Sequence, residues 1–427
     1  MEAPETRRSE AAPELSVVKP PGGSLLRDRN FRLFFGGQLI SNSGTFLQSV
    51  AQAVLVRELT HSSFMVGVAT AAVFLPVLLL SLSGGSLADR FERRGLLIAT
   101  QVLAMAATGV LAVLAATGHA TVAAVITVAA LVGVQYAVAI PTSQALIPAF
   151  VDPRRLGEAI GLNSVTFNMA RVVGPALSAL VLATAGFGLA FGVNSLSFLA
   201  LIGALLLIRF RGPTRATSES HSVREALGYA WRNPRIRMIL TAVLALALAV
   251  DPLTTLAPQI VRQDFHHPGS DAGLVLAAFG FGSMSAAFVF FRVLRASSET
   301  RYRLAPWMML LFGSGLIGFV WVPSLWPALL VLAVGGLGFL TSTTTWTTGL
   351  QEEVSEAMRG RIMGIWTLCA LGSRPVAALI DGAVADLAGT RVAVLVIAAP
   401  LVLVALTVAP RLRSSRVTAG SATPPSP

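Results

Sequence analysis

Gly84-Gly85-Ser86-Leu87-Ala88-Asp89-Arg90-Phe91-Glu92-Arg93-Arg94 is a charged hinge set between two long apolar segments. Residues 64–83 and 95–117 are apolar enough, and about long enough, to cross a bilayer, whose core takes about 20 helical residues. Between them sit Asp89, three arginines and a double glycine, a link short enough to predict a tight turn on one side of a membrane.

The surrounding composition agrees. A chain of 427 residues that is 54% hydrophobic and 12% charged lies far from soluble domains, where charge runs near about 25%; mean hydropathy is +0.72. Apolar runs predict twelve spans, near 32–56, 63–84, 95–117, 120–149, 156–184, 187–208, 236–260, 271–294, 304–322, 325–350, 361–386 and 391–410. With the N-terminus inside, Arg57, Arg262 and Arg391 fall in outside loops and Arg171 and Arg374 within spans. All the rest of the 32 Lys and Arg lie on the inside. That asymmetry is the positive-inside pattern and predicts both termini in the cytoplasm. The net charge of +11 therefore reads as a topology signal and a contact with anionic lipid, not as nucleic-acid binding.

The stretch 1–25 is rich in Pro, Glu and Ser without an apolar core, so it reads as a disordered cytoplasmic tail rather than a signal peptide. Residues 411–427 read as a second tail. The remaining organisation is a six-helix bundle over 26–208, a cytoplasmic linker over 209–235 and a second bundle over 236–410. In the linker, Ser222 and Glu225 have capping-box spacing, and Val223, Leu227, Ala230 and Trp231 share one helical face, as in a helix lying on the membrane surface. Cys369 is the single cysteine, so no intramolecular disulfide exists.

The halves repeat each other. Gly161 precedes Arg171 by ten residues in span 5, as Gly364 precedes Arg374 in span 11, each after a basic loop. Two bundles related by an axis along the membrane normal would place these arginines equivalently.

The hinge resembles the loop between the second and third helices of major facilitator transporters, Gly-x-x-x-Asp-Arg-x-Gly-Arg-Arg/Lys. Gly85, Asp89, Arg90, Arg93 and Arg94 match; Glu92 stands in place of the second glycine. Segments such as Phe31–Ser41, Pro141–Pro148, Ala170–Ala176 and Met358–Gly364 resemble the third drug:proton antiporter group, which includes macrolide and enterobactin exporters. Gly174-Pro175 is similar to the antiporter motif Gly-x-x-x-Gly-Pro-x-x-Gly-Gly, with Ala170 at its first glycine and Ser178 and Ala179 at small positions. The resemblance implies an all-α membrane protein of twelve helices in two six-helix bundles, in a bacterial plasma membrane, with no cofactor. It implies a monomer that exports drug- or siderophore-like molecules against protons. It also gives the hinge a gating role: Asp89 faces the N-terminal end of span 11, and Arg90 and Arg93 pair with acids of neighbouring spans.

The residues themselves nominate a site. Gln38, Ser41, Thr45, Gln48 and Gln52 are spaced three and four apart and share one face of span 1. They form either the wall of a substrate cavity or a polar packing seam. Thr341 to Thr348 add a patch in span 10, and Trp346 and Trp366 offer aromatic surface. Asp251, Arg171, Arg374 and Asp381 are charges within spans, each costing about 2.5–3.5 kcal/mol on insertion scales, and so are functional candidates. Arg374 and Asp381 share a face but lie about 10 Å apart along the axis, which calls for a third group between them. Asp251 and Asp381 are candidates for proton coupling or for structural pairing. Arg171 reads as a structural charge, Arg374 as a cavity residue, and Asp386 as a solvated one.

No histidine falls in a span, and His266-His267 lacks a third metal ligand. Neither a phosphate-binding Gly-x-x-x-x-Gly-Lys loop nor a nucleophile–base constellation appears, so the reading is an ion-driven transporter rather than an enzyme. An importer or a non-transporting sensor on the same fold remain the rivals.

Overall fold

A computed structural model describes residues 25–90, 92–149, 151–152, 155–208, 223–294 and 298–419. The expected tails before Leu25 and after 419, and linker residues 209–222, lie outside these. The first half contains α1 (Arg29–Thr60), α2 (Ser63–Arg90), α3 (Arg93–Ala116), α4 (Val122–Leu146), α5 (Leu156–Thr184) and α6 (Gly186–Leu207). A short α7 (Val223–Arg232) covers the expected linker helix. The second half begins with a broken span of α8 (Pro234–Val250), α9 (Pro252–Thr255) and α10 (Ala257–Gln263). After α11 (Ala272–Leu294), α12 (Ser298–Trp321) and α13 (Leu325–Glu353) comes a second broken span, α14 (Glu356–Thr367) and α15 (Arg374–Ala388) joined by a π-helical turn at Leu368–Gly372. The last helix is α16 (Thr390–Ala419).

Among the described residues there is no strand, and ten helical segments are long and apolar enough to cross a membrane. With α1 and α11 the rods number twelve; the buried amides and hydroxyls of α1 dilute its hydropathy. Local chemistry sets many ends. Asp28 caps α1 by accepting from the N–H groups of Asn30 (2.8 Å) and Phe31 (3.1 Å). Thr121 caps α4, and Asn233 followed by Pro234 starts α8.

The expected loop over 84–94 is largely helix. α2 runs through the double glycine to Arg90, and Glu92, extended at φ −65° and ψ 117°, leads into α3. Each glycine costs about 1 kcal/mol in a helix, but at the edge of a bilayer the helix is the conformation that satisfies every backbone group. The side chains of Asp89 and Arg90 lie outside the described residues. Arg93 donates to the carbonyl of Ala145 (3.1 Å) and Arg94 to that of Leu206 (3.2 Å). Arg93 thus meets the C-terminal end of α4, where the helix dipole favours a cation, rather than the acid expected from its motif.

In the first half α1 packs on α5 and α6, α3 on α4 and α6, and α2 on α4. In the second, α13 packs on α11, α12 and α8, and α16 on α12, α15 and α8. Two long contacts cross between the bundles, α2 with α15 and α5 with α11. These are spans 2 with 11 and 5 with 8, and exchanging the halves turns one pair into the other. The bundles thus meet along two equivalent seams.

Close approach at a seam requires glycine. A β-carbon on Gly67 of α2 would run into the carbonyl oxygen of Ala378 on α15, whereas one on Gly203 of α6 meets nothing within 4 Å. Gly67→Ala is therefore expected to lower the thermal midpoint of the purified protein, on the scale of about 1–3 kcal/mol for overpacking. Gly203→Ala should leave it unchanged or raise it, by up to about 1 kcal/mol. Equal effects at both positions would refute the close approach of the seam.

Candidate functional site

Between the bundles lies a cavity of about 370 Å³. The first half contributes Thr45, Gln48 and Gln52 from α1, Phe74 from α2, Tyr136 from α4, and Phe167 and Arg171 from α5. From the second come Leu246 and Val250 of α8, Phe279 of α11, Phe339 and Thr343 of α13, Trp366 of α14 and Arg374 of α15. The walls are mostly apolar and aromatic, and no Asp or Glu is among the lining residues.

Both broken spans supply the charges. Asp251 immediately precedes Pro252 and Arg374 immediately precedes Pro375, and a proline withholds a donor from the helix ladder, which is why the rods break there. Pro252 leaves the carbonyl of Leu248 without its usual donor, and Asp251 N–H takes it up at 3.3 Å. The carbonyl of Asp251 accepts from Thr254 and Thr255 N–H (2.9 and 3.0 Å) and from Thr254 Oγ1 (2.9 Å). Arg374 reaches across to Asp251, with Nη2 and Nε at 3.1 and 3.3 Å from Oδ1, and its Nη2 donates to Thr254 Oγ1 at 3.4 Å. Its guanidinium carbon sits 4.0 Å from the centre of the Phe74 ring, so this cation is held between an acid of its own bundle and an aromatic face of the other. Arg374 therefore pairs with Asp251 and not with Asp381, the acid that shares its helix face. Asp381 is fully buried, and among the described residues neither of its oxygens has a hydrogen-bond partner; Asp251 Oδ2 also lacks one there.

The polar stripe of α1 divides. Thr45, Gln48 and Gln52 reach the cavity, and two of them are also tied to neighbours: Gln48 Oε1 accepts from Asn194 Nδ2, and Gln52 Nε2 donates to the Ala69 carbonyl at 3.4 Å. Gln38 and Ser41 are not cavity residues. Ser41 Oγ donates to Gln101 Oε1 at 3.4 Å, and Gln38 Oε1 accepts from Asn42 Nδ2 at 3.2 Å, so this part of the stripe is a packing seam. Trp346 is also no cavity residue. It is completely buried, stacks near Tyr302 and donates from Nε1 to Met309 Sδ at 3.2 Å. Trp366 does line the cavity, with its Nε1 buried and unpartnered.

In the motif of α5, Ala170 and Ser178 are fully buried. A β-carbon on Gly174 would strike the Ser43 carbonyl on α1, and one on Gly273 of α11 would strike the Pro175 carbonyl. The motif marks where α5 is gripped from both sides. Arg171 extends from this region over the rings of Phe279 (5.3 Å) and Phe339 (5.6 Å), with no acid paired to it among the described residues. Read from the sequence as a structural charge, Arg171 meets aromatic rings rather than an acid among the described residues.

Asp386 is more than a solvated residue. From α15 it accepts the N–H groups of Ser63 (2.8 Å) and Phe64 (3.0 Å) and the hydroxyl of Ser62 (2.6 Å), capping α2 across the seam. A cap borrowed from another helix leaves no local spacing to read. The Asp251–Arg374 pair had a fainter signal, a charge directly before proline inside two different spans.

The sequence profile of the family described as transmembrane secretion effector matches residues 23–424. The chain belongs to this family of major facilitator transporters and is a multi-pass membrane protein. It is 23% identical to the staphyloferrin A transporter of Staphylococcus aureus, covering 84% of this chain and 90% of that one. It is 27% identical to the enterobactin exporter EntS of Citrobacter koseri (79% and 80%) and 26% identical to the multidrug efflux pump Tap of Mycobacterium tuberculosis (88% and 92%). Among solved structures it resembles a bacterial homologue of the lysosomal transporter Spinster, with TM-score 0.71, 14% identity and coverage of 95% and 100%. A bacterial homologue of the iron transporter ferroportin gives 0.69, 17%, 92% and 100%.

Removing one partner of a buried ion pair costs about 3–5 kcal/mol because the other is stranded. Asp251→Asn and Arg374→Gln should each lower the thermal midpoint of the purified protein markedly. The double variant should lose less than the two losses added together. Additive losses would mean that the pair does not hold the two broken spans together.

Proposed function

We propose that this transporter is an exporter of amphipathic small molecules that exchanges them for protons by alternating access. The observation that carries the reading is a largely apolar cavity between two bundles, beside the buried Asp251–Arg374 pair and a separate buried carboxyl, Asp381. Names of relatives that include an enterobactin exporter and a multidrug efflux pump support the outward direction. The basic connections support a reading with both termini in the cytoplasm of a bacterial inner membrane. Substrate and two bundles suffice; the reading requires neither a cofactor nor a second subunit. In this scheme the bundles rock about the cavity, opening it to each side in turn.

Asp381 is the coupling carboxyl in this reading. It has no donor within reach, its charge is close enough to interact with that of Asp251, and a proton is the smallest partner that satisfies it. The experiment uses inside-out vesicles acidified by respiration and an acridine dye as reporter, with erythromycin, tetracycline and an iron-free catecholate siderophore as probes. Protein-dependent loss of the proton gradient on adding at least one probe is expected. No response to any probe, or uphill uptake of a probe by right-side-out vesicles, would overturn the export reading. Asp381→Asn should abolish the proton response while sparing downhill exchange of the same probe, and normal proton movement in that variant would place coupling elsewhere.

The cap of Asp386 on α2 closes the outer side. Asp386→Asn removes a carboxylate from a helix N-terminus, an interaction of about 0.3–2 kcal/mol, and should raise the population of outward-open molecules several-fold. In a Cys369→Ala background, Gln259→Cys reports this, since Gln259 is buried at the outer end. Faster labelling from outside is expected on adding the Asp386 change, and an unchanged rate would remove Asp386 from the gate.

A further inference from the structure

We infer that Arg171 selects the substrate, and that the molecule it selects carries an anionic, carboxylate-like group on an apolar body; this rests on the cavity being the substrate site. Two guanidinium groups reach the cavity, and they differ in one respect. Arg374 is neutralised by Asp251. Arg171 has no acid paired to it among the described residues, and no acid lines the cavity. Arg171 therefore stands in the cavity as a cation with no acid against it, in a medium of low dielectric, where an opposite charge is attracted far more strongly than in water.

The packing explains why this side chain is free. The seam between α5 and α11 uses the backbone of Arg171: the missing β-carbon of Gly280 is what lets α11 approach its carbonyl oxygen. The guanidinium is left to lie over Phe279 and Phe339, two ring faces that hold a cation without occupying its hydrogen-bond donors. A planar fork held in this way presents parallel donors to a carboxylate. Two more lining groups point to an acceptor-rich ligand: Trp366 Nε1 and Thr343 Oγ1 are buried without a hydrogen-bond partner. A cationic amphiphile would be repelled here, and a neutral one would leave Arg171 unpaired.

The exit side repeats the sign. A second cavity of about 240 Å³ is bounded by Arg57, His61, Gln259, Arg262 and Gln263, and Arg57 Nη1 is buried there without a partner. Arg57 of α1 and Arg262 of α10 converge on this one cavity, with the Asp386 carboxylate near enough to Arg57 to act on its charge.

The test is equilibrium binding to purified full-length protein, read by tryptophan fluorescence, with 2-naphthoate and its neutral isostere 2-naphthamide. The expected result is a preference for naphthoate of at least about tenfold, the scale of one charged hydrogen bond. Arg171→Gln should erase the preference by weakening naphthoate, with naphthamide bound no more weakly than by the native protein, and Arg171→Lys should keep part of the preference. Equal binding of the two probes by the native protein would overturn the inference. So would a preference that survives Arg171→Gln, or a loss of naphthamide binding in that variant, which would mark Arg171 as a structural anchor. Binding in detergent does not depend on direction or protons. A preference without proton-linked flux of naphthoate in inside-out vesicles would therefore refute the export reading and leave this one standing.

Discussion

Hydrocarbon offers no hydrogen bonds, so every polar group carried into this membrane protein must find its partner in protein or in a water-filled space. Most of the chain meets that constraint by being helical and apolar. The exceptions are concentrated. Asp251 and Arg374 each stand beside a proline that breaks a span, and each break frees backbone groups that nearby hydroxyls and N–H groups take up. Joining the two breaks by one ion pair confines the irregular backbone of both spans to one place, against the cavity. The helix breaks, the buried charges and the binding space coincide because each would be costlier anywhere else.

The two seams determine what is left to line the cavity. With α2 committed to α15 and α5 to α11, those four rods line the space between the bundles along the seams, and spans 1, 4, 7 and 10 complete its wall. They contribute Gln48, Tyr136, Leu246 and Phe339 to its wall. Exchanging the halves carries span 1 onto span 7 and span 4 onto span 10, so the cavity is assembled from equivalent rods. Their chemistry is not equivalent. The α1 wall is rich in amides, whereas the walls of α8 and α13 are largely aliphatic and aromatic. In the proposed exporter, a substrate with a polar edge towards one bundle and an apolar face towards the other would stay between the same two surfaces as the bundles rock.

The fold was legible in the sequence because apolar length and arginine placement are local quantities. The helices follow the predicted spans closely, with α5 beginning and ending as expected over 156–184. The misreadings share a cause. The hinge at Gly84–Arg90 was read as a loop from glycine and charge, but the bilayer edge favours a continued helix. The stripe on α1 was read as one surface, yet Ser41 faces Gln101 and Gln52 faces the cavity, because a helix face is wide enough to touch two neighbours. Trp346 was taken for a ligand surface, though Tyr302 and Met309 enclose it. Asp386 and the Asp251–Arg374 pair depend on contacts more than one hundred residues apart in sequence, which no spacing rule can reach.

The pair α2 and α15 runs antiparallel, so each helix brings its C-terminal end to the other's N-terminal side. At one end of the pair that geometry places Asp386 on the first N–H groups of α2. At the other end the same geometry brings the last turn of α2, with Asp89, towards the start of the span that contains α15. In the exporter reading these two carboxylates serve one gate each, and a pivot that closes one end of the pair opens the other. A single helix-end charge is worth about 0.3–2 kcal/mol, small beside the packing of a whole seam. The smallness suits the task. A gate that must open and close in every cycle needs two states of nearly equal free energy, so that one bound substrate or one proton shifts the balance. Were either end sealed by a buried ion pair like that of Asp251 and Arg374, its opening would strand charge in hydrocarbon, and the transporter would stay in one state.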